Sequence, residues 1–357
     1  MEEVLFDQLL DDNDRYKLYM YQIIQLYSEQ GVTFSILEQQ LELSKFKVKQ
    51  LVYELVDELK EETLSSQIGL LEVVDDVISG QLNNQGYQLL RLRYFNQSAA
   101  GDLLLKNFFH GYTISEFAAL KYISLAKAYK VRKKVNQFLV QWELVLSKTD
   151  MVGNEKRIRG FFFQLINYFY NGESAVFEKK VQFKINQTVN RLQFISRRTL
   201  STNQKSQLAI FLGVQYYRVL NGFKLDTFDL VQYSGVSFEK LLDQFFKITL
   251  YKKETIANEQ IYLVLFLLTI GQIDKNHLVY HDALVLPIKF TAYLSKEYPA
   301  VQSLLMNDVF RDRLTVMALK LEVLEISTNT FISERQFIYF KQNFPLIHQI
   351  IQRFVKK

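Results

Sequence analysis

The residues of this chain best suited to chemistry are cations. Lys121, Lys127, Lys130, Arg132, Lys133 and Lys134 fall within one stretch that holds no acid. Ammonium groups at that density form either a solvated helix face or a surface that neutralises phosphates, and their setting decides between the two. Lys127, Lys130 and Lys134 stand three and four apart, so on a helix they share one face, with Tyr129 and Lys133 flanking it. A second group, Lys45, Lys47, Lys49 and Gln50, begins just after Ser44. Other chemistry has little support. His277 and His281 are four apart with Asp282 adjacent, a spacing that would set two imidazoles on one helical face for a metal, but no flanking carboxylate completes a zinc-hydrolase pattern. Surface exposure or regulatory phosphorylation suits them as well. His110 and His348 sit singly between aromatic or apolar neighbours and read as structural. The chain has no Cys, which removes disulfides, thiolate metal sites and thiol catalysis and fits a reducing cytosolic compartment. There is no P-loop, no GxGxxG after a strand, no GxSxG and no paired-carboxylate motif, so neither an enzyme nor a cofactor is expected.

Two helix-turn-helix patterns position the cations. Leu18, Met20, Ile23, Ile24 and Tyr27 recur at helical spacing between Asp14 and Glu29, and Gly31 ends the run. A short helix with Ser35 as its expected N-cap follows, and then Ser44 caps a longer helix from Lys45 to Glu62, with Val48, Leu51, Leu55 and Leu59 as the buried stripe. The same grammar returns at Thr113 to Val135. Ser115 is the expected cap of a short helix that turns Phe117, Ala118 and Leu120 inward, Ile123 plugs the turn, and Ser124 caps a helix whose Ala128, Val131, Val135 and Phe138 face the core. A short helix, a tight turn and a longer helix is the layout that sets a recognition helix in the DNA major groove while lysines and the helix N-terminus meet phosphates. Two copies about 80 residues apart, Ser44 against Ser124, are more specific than one. Leu70 to Ile78 reads as two β runs around Asp75 and Asp76, a wing after the first recognition helix, and Leu144 to Leu146 as the corresponding strand after the second. An acidic wing tip has the wrong sign for DNA, so Lys121 to Lys134 should supply most of the phosphate attraction.

Composition favours helices throughout. The 357 residues include 13 Gly and 3 Pro, where average usage would give about 25 and about 18. All three prolines lie in the last quarter, at Pro287, Pro299 and Pro345, so 286 consecutive residues lack the one type barred from helix interiors. That excludes a turn-rich β sandwich. Hydrophobic residues at 48% and charged residues at 23% are ordinary for a folded protein, and the length calls for two to four domains. The most apolar run, Ile261 to Ile270, is half of the ~20 residues needed to cross a bilayer, and the start Met-Glu-Glu lacks a basic targeting region, so no membrane role is expected. The net charge of +5 is distributed unevenly: −8 over residues 1–62, +3 over 63–150, +7 over 151–270 and +3 over 271–357.

With these features the chain resembles the Mga-like virulence regulators of Gram-positive bacteria, which include the AtxA type. The resemblance rests on the paired helix-turn-helix units, on Tyr87-Gln-Leu-Leu-Arg-Leu-Arg-Tyr-Phe-Asn-Gln-Ser98 between them, on Gly153-x-Glu-x-x-Ile-Arg159 after the second, and on Asn258-Glu-Gln-Ile-Tyr-Leu-Val-Leu-Phe-Leu-Leu-Thr269. It extends from about residue 10 to about residue 270. It implies a transcription activator of virulence or carbohydrate-linked genes, with RNA polymerase and a homodimer partner among its contacts. It also implies two helical domains related to the regulation domains (PRD) of the sugar phosphotransferase system, whose carrier proteins phosphorylate histidines. Residues 151–270 contain no histidine, so only His277, His281 and His348 remain as phosphoacceptors. A chain ending at Lys357 is expected to lack the further C-terminal domain that family members use for self-association.

The second half reads as helical without the resemblance. Stripes run through Ile158, Phe161, Phe162, Leu165, Ile166 and Phe169, through Phe183, Ile185, Val189, Leu192 and Ile195, and through Leu208, Ile210, Phe211, Val214 and Tyr217. Ile261 to Ile270 is apolar all round and should be a buried central helix. Lys179, Lys180, Lys184, Arg191, Arg197 and Arg198 are either a solvated face or a site for an anion or acidic partner. The fold class expected is mainly α: two N-terminal winged helix-turn-helix domains at residues 1–80 and 81–152, then two helical-bundle regulatory domains at 153–270 and 271–357. The function expected is a cytoplasmic regulator of transcription that binds double-stranded DNA through Ser44, Lys45, Lys47, Lys49, Gln50, Ser124, Lys127, Tyr129, Lys130, Lys133 and Lys134. The alternative is a non-enzymatic helical interaction protein that holds an acidic protein partner. An RNA-binding antiterminator is disfavoured, because its RNA-binding module is a small N-terminal β domain and this N-terminus reads as helical.

Overall fold

The computed structural model describes residues 5–60, 71–170, 176–226, 231–235, 237–246, 253–273, 278–280, 285–326 and 341–355. The architecture is mainly helical with a few short strands. The chain divides into two compact units, Met1–Gln141 with Val145–Met151, and Trp142–Leu144 with Val152–Lys357.

In the first unit, α1 (Asp12–Leu26) opens on Asp12 and Asp14, which suit the positive end of the helix dipole, and buries Leu18, Met20, Tyr21, Ile23 and Ile24. Gly31 turns the chain at φ 71, where a side chain would also meet Val77 at 2.6 Å. β1 (Val32–Thr33) leads into α2 (Phe34–Leu41) and α3 (Lys45–Lys60), and α3 buries Val48, Leu51, Val52, Leu55, Val56 and Leu59. β2 (Leu71–Val74) and β3 (Val77–Gly80) form an antiparallel hairpin. Asp75 and Asp76 at its tip both have positive φ, 48° and 63°, as a two-residue type I′ turn demands. β1 pairs with β3 on the other side, Val32 opposite Ile78, giving the order β1-β3-β2. α4 (Asn84–Gln97) is capped by Asn83, α5 (Ala99–His110) by Ser98, and α6 (Ile114–Leu120) and α7 (Leu125–Leu139) follow. β4 (Val145–Leu146) pairs with β5 (Met151–Val152). One buried cation joins three helices: Lys17 of α1 lies 2.9 Å from Asp14 and 2.5 Å from Glu58 of α3, and Tyr94 of α4 donates to the same Glu58. Burial alone would lower the Lys17 pKa, but these carboxylates raise it above the usual lysine value.

The second unit is a bundle with an aromatic core. α8 (Glu155–Tyr170), α9 (Lys179–Ser196), α10 (Thr202–Leu220), β6 (Val231–Tyr233), α11 (Glu239–Phe246) and α12 (Lys253–Thr269) follow in order. Phe211 of α10 stacks on Phe266 of α12 with ring centroids 4.0 Å apart, and Phe163 of α8 meets Phe266 edge-on at 5.4 Å. As its all-round hydropathy requires, Tyr262 to Leu268 is buried throughout. Gly213 lets α10 pass the Phe177 ring, because a side chain there would sit 2.2 Å from it. One stripe differs from expectation. Phe183 is 64% exposed, and Val181 instead joins Ile185, Val189 and Leu192 in the core. The reason is periodicity: 181, 185, 188, 189 and 192 fit a 3.6-residue repeat, and position 183 falls on the far side. β7 (Leu278–Tyr280) pairs with β6, Val231 opposite Tyr280. α13 (Val285–Glu297), α14 (Gln302–Leu305), α15 (Asp308–Ala318) and α16 (Pro345–Val355) complete the unit, and Tyr293, Leu294 and Leu305 form a small core of their own with Phe290 and Phe354 against it. All three prolines stand in the first turn of a helix or 3-10 turn, where no N–H bond is lost.

Candidate nucleic-acid interface

The second helix-turn-helix is built from side-chain caps. α5 stops at Gly111, left-handed at φ 62. Thr113 then opens α6: its hydroxyl accepts from the Glu116 N–H at 3.2 Å, and the Glu116 carboxylate accepts from the Thr113 N–H at 2.7 Å. That bond to the Thr113 backbone, with a second from its hydroxyl, holds the Glu116 pKa below the usual glutamate value. The cap is therefore Thr113 and not the expected Ser115, which lies inside the helix, the Glu116 N–H being already taken by the Thr113 hydroxyl. α6 buries Ile114, Phe117 and Ala118. In the turn, Tyr122 takes the left-handed conformation at φ 52 with its side chain 97% exposed, and the Ile123 N–H returns to the Ala118 carbonyl at 3.0 Å. Ser124 caps α7 by accepting from the Lys127 N–H at 3.2 Å. α7 buries Ala128, Val135, Phe138 and Leu139, with Val131 half-buried.

Lys127, Lys130 and Lys133 stand exposed along α7. Among the described residues no carboxylate pairs with any of them. Tyr129 is half exposed, and the Arg132 guanidinium lies 5.2 Å from its ring centroid. Two members of the basic run are engaged elsewhere. Lys134 donates to the Leu10 carbonyl at 2.9 Å, which draws it off the open face, and Lys121 pairs with Asp102 at 3.1 Å. The exposed turn residues Tyr122 and Leu125 escape sequence reasoning, since apolar types at those positions look like core. Thr113-Ile-Ser-Glu116, a capping-box signature, was the readable signal for the true cap.

The first unit's other helix-turn-helix repeats this backbone. Gly31 and Gly111, Thr33 and Thr113, Glu42 and Tyr122, and Ser44 and Ser124 all differ by 80 positions. Each pair plays one role: left-handed glycine, cap of the short helix, left-handed turn residue and cap of the long helix. Thr33, not the expected Ser35, caps α2, accepting from the Ile36 N–H at 3.4 Å, again because Ser35 is within the helix. The charges differ between the copies. Lys49 bonds Asp76 at the hairpin tip at 3.2 Å and lies over the Phe34 ring, while Gln50 donates to Glu54 at 2.8 Å. Lys45 is exposed and Lys47 half-buried.

Two of the four histidines, His110 and His348, fall within the described residues. His277 and His281 lie outside the described residues. His348 is buried on α16, and His110 ends α5 with its ring 5.4 Å from Tyr112. Among the described residues no group of three His, Cys, Asp or Glu could hold a metal, and no helix is long and apolar enough to cross a membrane.

A capped short helix, a turn with one left-handed residue, and a serine-capped longer helix with unpaired lysines define a helix-turn-helix DNA-binding domain. Residues 83–166, from the cap of α4 into α8, match the family model of the Mga helix-turn-helix domain. That family is one of DNA-binding transcriptional regulators rather than enzymes. No curated protein matches the chain.

Proposed function

We propose that this protein is a cytoplasmic transcription regulator that grips duplex DNA through α7. The observation that carries the reading is the set of exposed, carboxylate-free cations Lys127, Lys130 and Lys133 on a Ser124-capped helix, inside the segment that matches the Mga model. In this reading the lysines neutralise phosphates, the free N–H groups of the first turn of α7 meet a further phosphate, and Tyr129 and Leu125 approach base edges. The first helix-turn-helix, with Ser44, Lys45, Lys47, Lys49 and Gln50, and with the β2–β3 hairpin as its wing, orients the protein and adds less attraction, since Asp76 holds Lys49. Residues 1–80 and 81–152 act as the two DNA-binding domains, and 153–270 and 271–357 as PRD-like regulatory domains. Activation of virulence or carbohydrate-linked genes, self-association, contact with RNA polymerase and phosphorylation by phosphotransferase carriers follow from the resemblance to Mga-like regulators. Lys134, bonded to Leu10, serves the fold first and DNA second.

Fluorescence anisotropy with random duplex DNA at low salt tests this directly. Binding that weakens steeply with added salt supports it. An absence of binding at low salt refutes it and leaves the helical interaction protein with an acidic partner.

A further inference from the structure

A groove of about 880 Å³ opens between α9 and α11 of the second unit. Its α9 wall includes Lys180, Phe183, Lys184, Gln187 and Arg191, which recur at three- and four-residue steps and form one continuous helical stripe. Lys179 adds a cation at the first turn, and Gln244 and Phe245 face the stripe from α11. Four cations therefore line the groove, and among the described residues no carboxylate does. The nearby acids Glu178, Glu239 and Asp243 are exposed on other faces and are not part of the lining.

Two of the cations are held in place. Arg191 donates to Gln244 Oε1 at 2.6 Å, which fixes its guanidinium at the groove and leaves further N–H groups for a ligand. Lys184 donates to the Tyr216 hydroxyl at 3.2 Å and lies 5.0 Å from the centroid of that ring. Phe183, 64% exposed among these charges, offers an apolar ring face that only a bound group would cover. Pockets for small molecules run from about 300 to 1,000 Å³ and combine an apolar surface with a few placed polar groups, and this groove has that size and character.

We propose that the groove binds a small ring-bearing phosphate ester. Lys180, Lys184 and Arg191 hold the phosphate, the arginine offering paired donors, and the ligand's ring lies over Phe183. This site is independent of the DNA-binding reading, and either can fail without the other.

Isothermal titration of the full chain with AMP and with glucose 6-phosphate is the test. Saturable one-to-one binding of at least one of them is expected, with inorganic phosphate and adenosine each at least tenfold weaker. Lys180→Ala combined with Arg191→Ala, and separately Phe183→Ala, should each weaken that binding at least tenfold, while Lys205→Ala outside the groove leaves it unchanged. Every replaced side chain is exposed, so melting curves should coincide with that of the parent. Binding of neither ester, binding unaffected by the groove variants, phosphate binding as tight as the ester, or tighter binding of a hexaglutamate peptide would each overturn the proposal.

Discussion

Arg159 and Glu259, 100 positions apart, are joined by two parallel hydrogen bonds of 2.7 and 2.9 Å, with both side chains 1% exposed. Arg159 Nε also bonds Glu155 at 2.8 Å, Arg218 bonds Glu155 at 2.6 and 3.0 Å, and Gln215 donates to Glu259 at 2.6 Å. Burial would push the Arg159 pKa down, but Glu259 and Glu155 raise it above the ordinary arginine value. Two cations and two anions thus balance inside the second unit. Removing one charge leaves its partner buried and uncompensated, so Glu259→Gln should destabilise this unit by about 3 kcal/mol. Replacing both Arg159 with Met and Glu259 with Leu should recover part of that loss. Urea unfolding of the parent and the two variants measures both, and equal stability of parent and Glu259→Gln would mean that the pair is not structural.

The caps of the two helix-turn-helix units make a second prediction. Ser124→Ala and Ser44→Ala each remove one acceptor from a helix start and should cost about 1 kcal/mol. Ser35→Ala and Ser115→Ala, which cap nothing, should stay within about 0.5 kcal/mol of the parent. Thermal melts distinguish the two pairs. A large loss at Ser115 would restore it as the cap in place of Thr113.

Glu116 gives a pH prediction. Its folded pKa is depressed, so its contribution is present above the unfolded glutamate pKa and is lost as pH falls through the lower folded value. Carbon-detected NMR titration should place the Glu116 midpoint below the usual glutamate value, and Thr113→Ala should move it part of the way back up, since the hydroxyl bond is lost while the backbone N–H bond remains. An unchanged midpoint in that variant would remove the side-chain share of the cap.

How much of this was legible in the sequence depended on range. Ser44 and Ser124 are readable because a cap and the stripe after it lie within a few residues, and the hairpin around Asp75 and Asp76 is readable because short β-branched runs flank that pair. The caps of the two short helices lie two positions before the expected ones, since Thr33 and Ser35, like Thr113 and Ser115, are chemically alike; the Thr-x-x-Glu spacing marks Thr113, whereas in the first copy it is Ser35 that stands three before a glutamate, Glu38. Phe183 reads as core by its residue type, but its position falls outside the 3.6-residue repeat of Val181, Ile185, Val189 and Leu192, which is the signal to follow. The Lys134 bond to Leu10, the Lys49 pair with Asp76 and the Arg159 network join residues from 27 to 124 positions apart. No local pattern announces such partners, and these bonds decide which charges remain free.

The hairpin tip supplies a test of the first module. Asp76→Asn keeps a residue type that tolerates the left-handed conformation but releases Lys49 and removes a negative charge. The exposed pair is weak, so the gain in DNA affinity at low salt should be roughly two- to fivefold. Weaker binding after the exchange would mean that the tip points away from DNA and that Asp76 supports the fold instead.

The central claim is that Lys127, Lys130 and Lys133 on α7 carry the phosphate contacts, with Lys134 withheld by Leu10. The direct measurement is the salt dependence of duplex DNA binding for the parent and for the variant with all three lysines changed to Ala. Each phosphate contact contributes about 0.9 to the slope of log affinity against log salt, so the slope should fall by roughly 2 to 3 units and the affinity by more than tenfold at moderate salt. The same affinity and slope in a variant whose helical circular dichroism is intact would contradict the assignment of α7 as the DNA-binding helix.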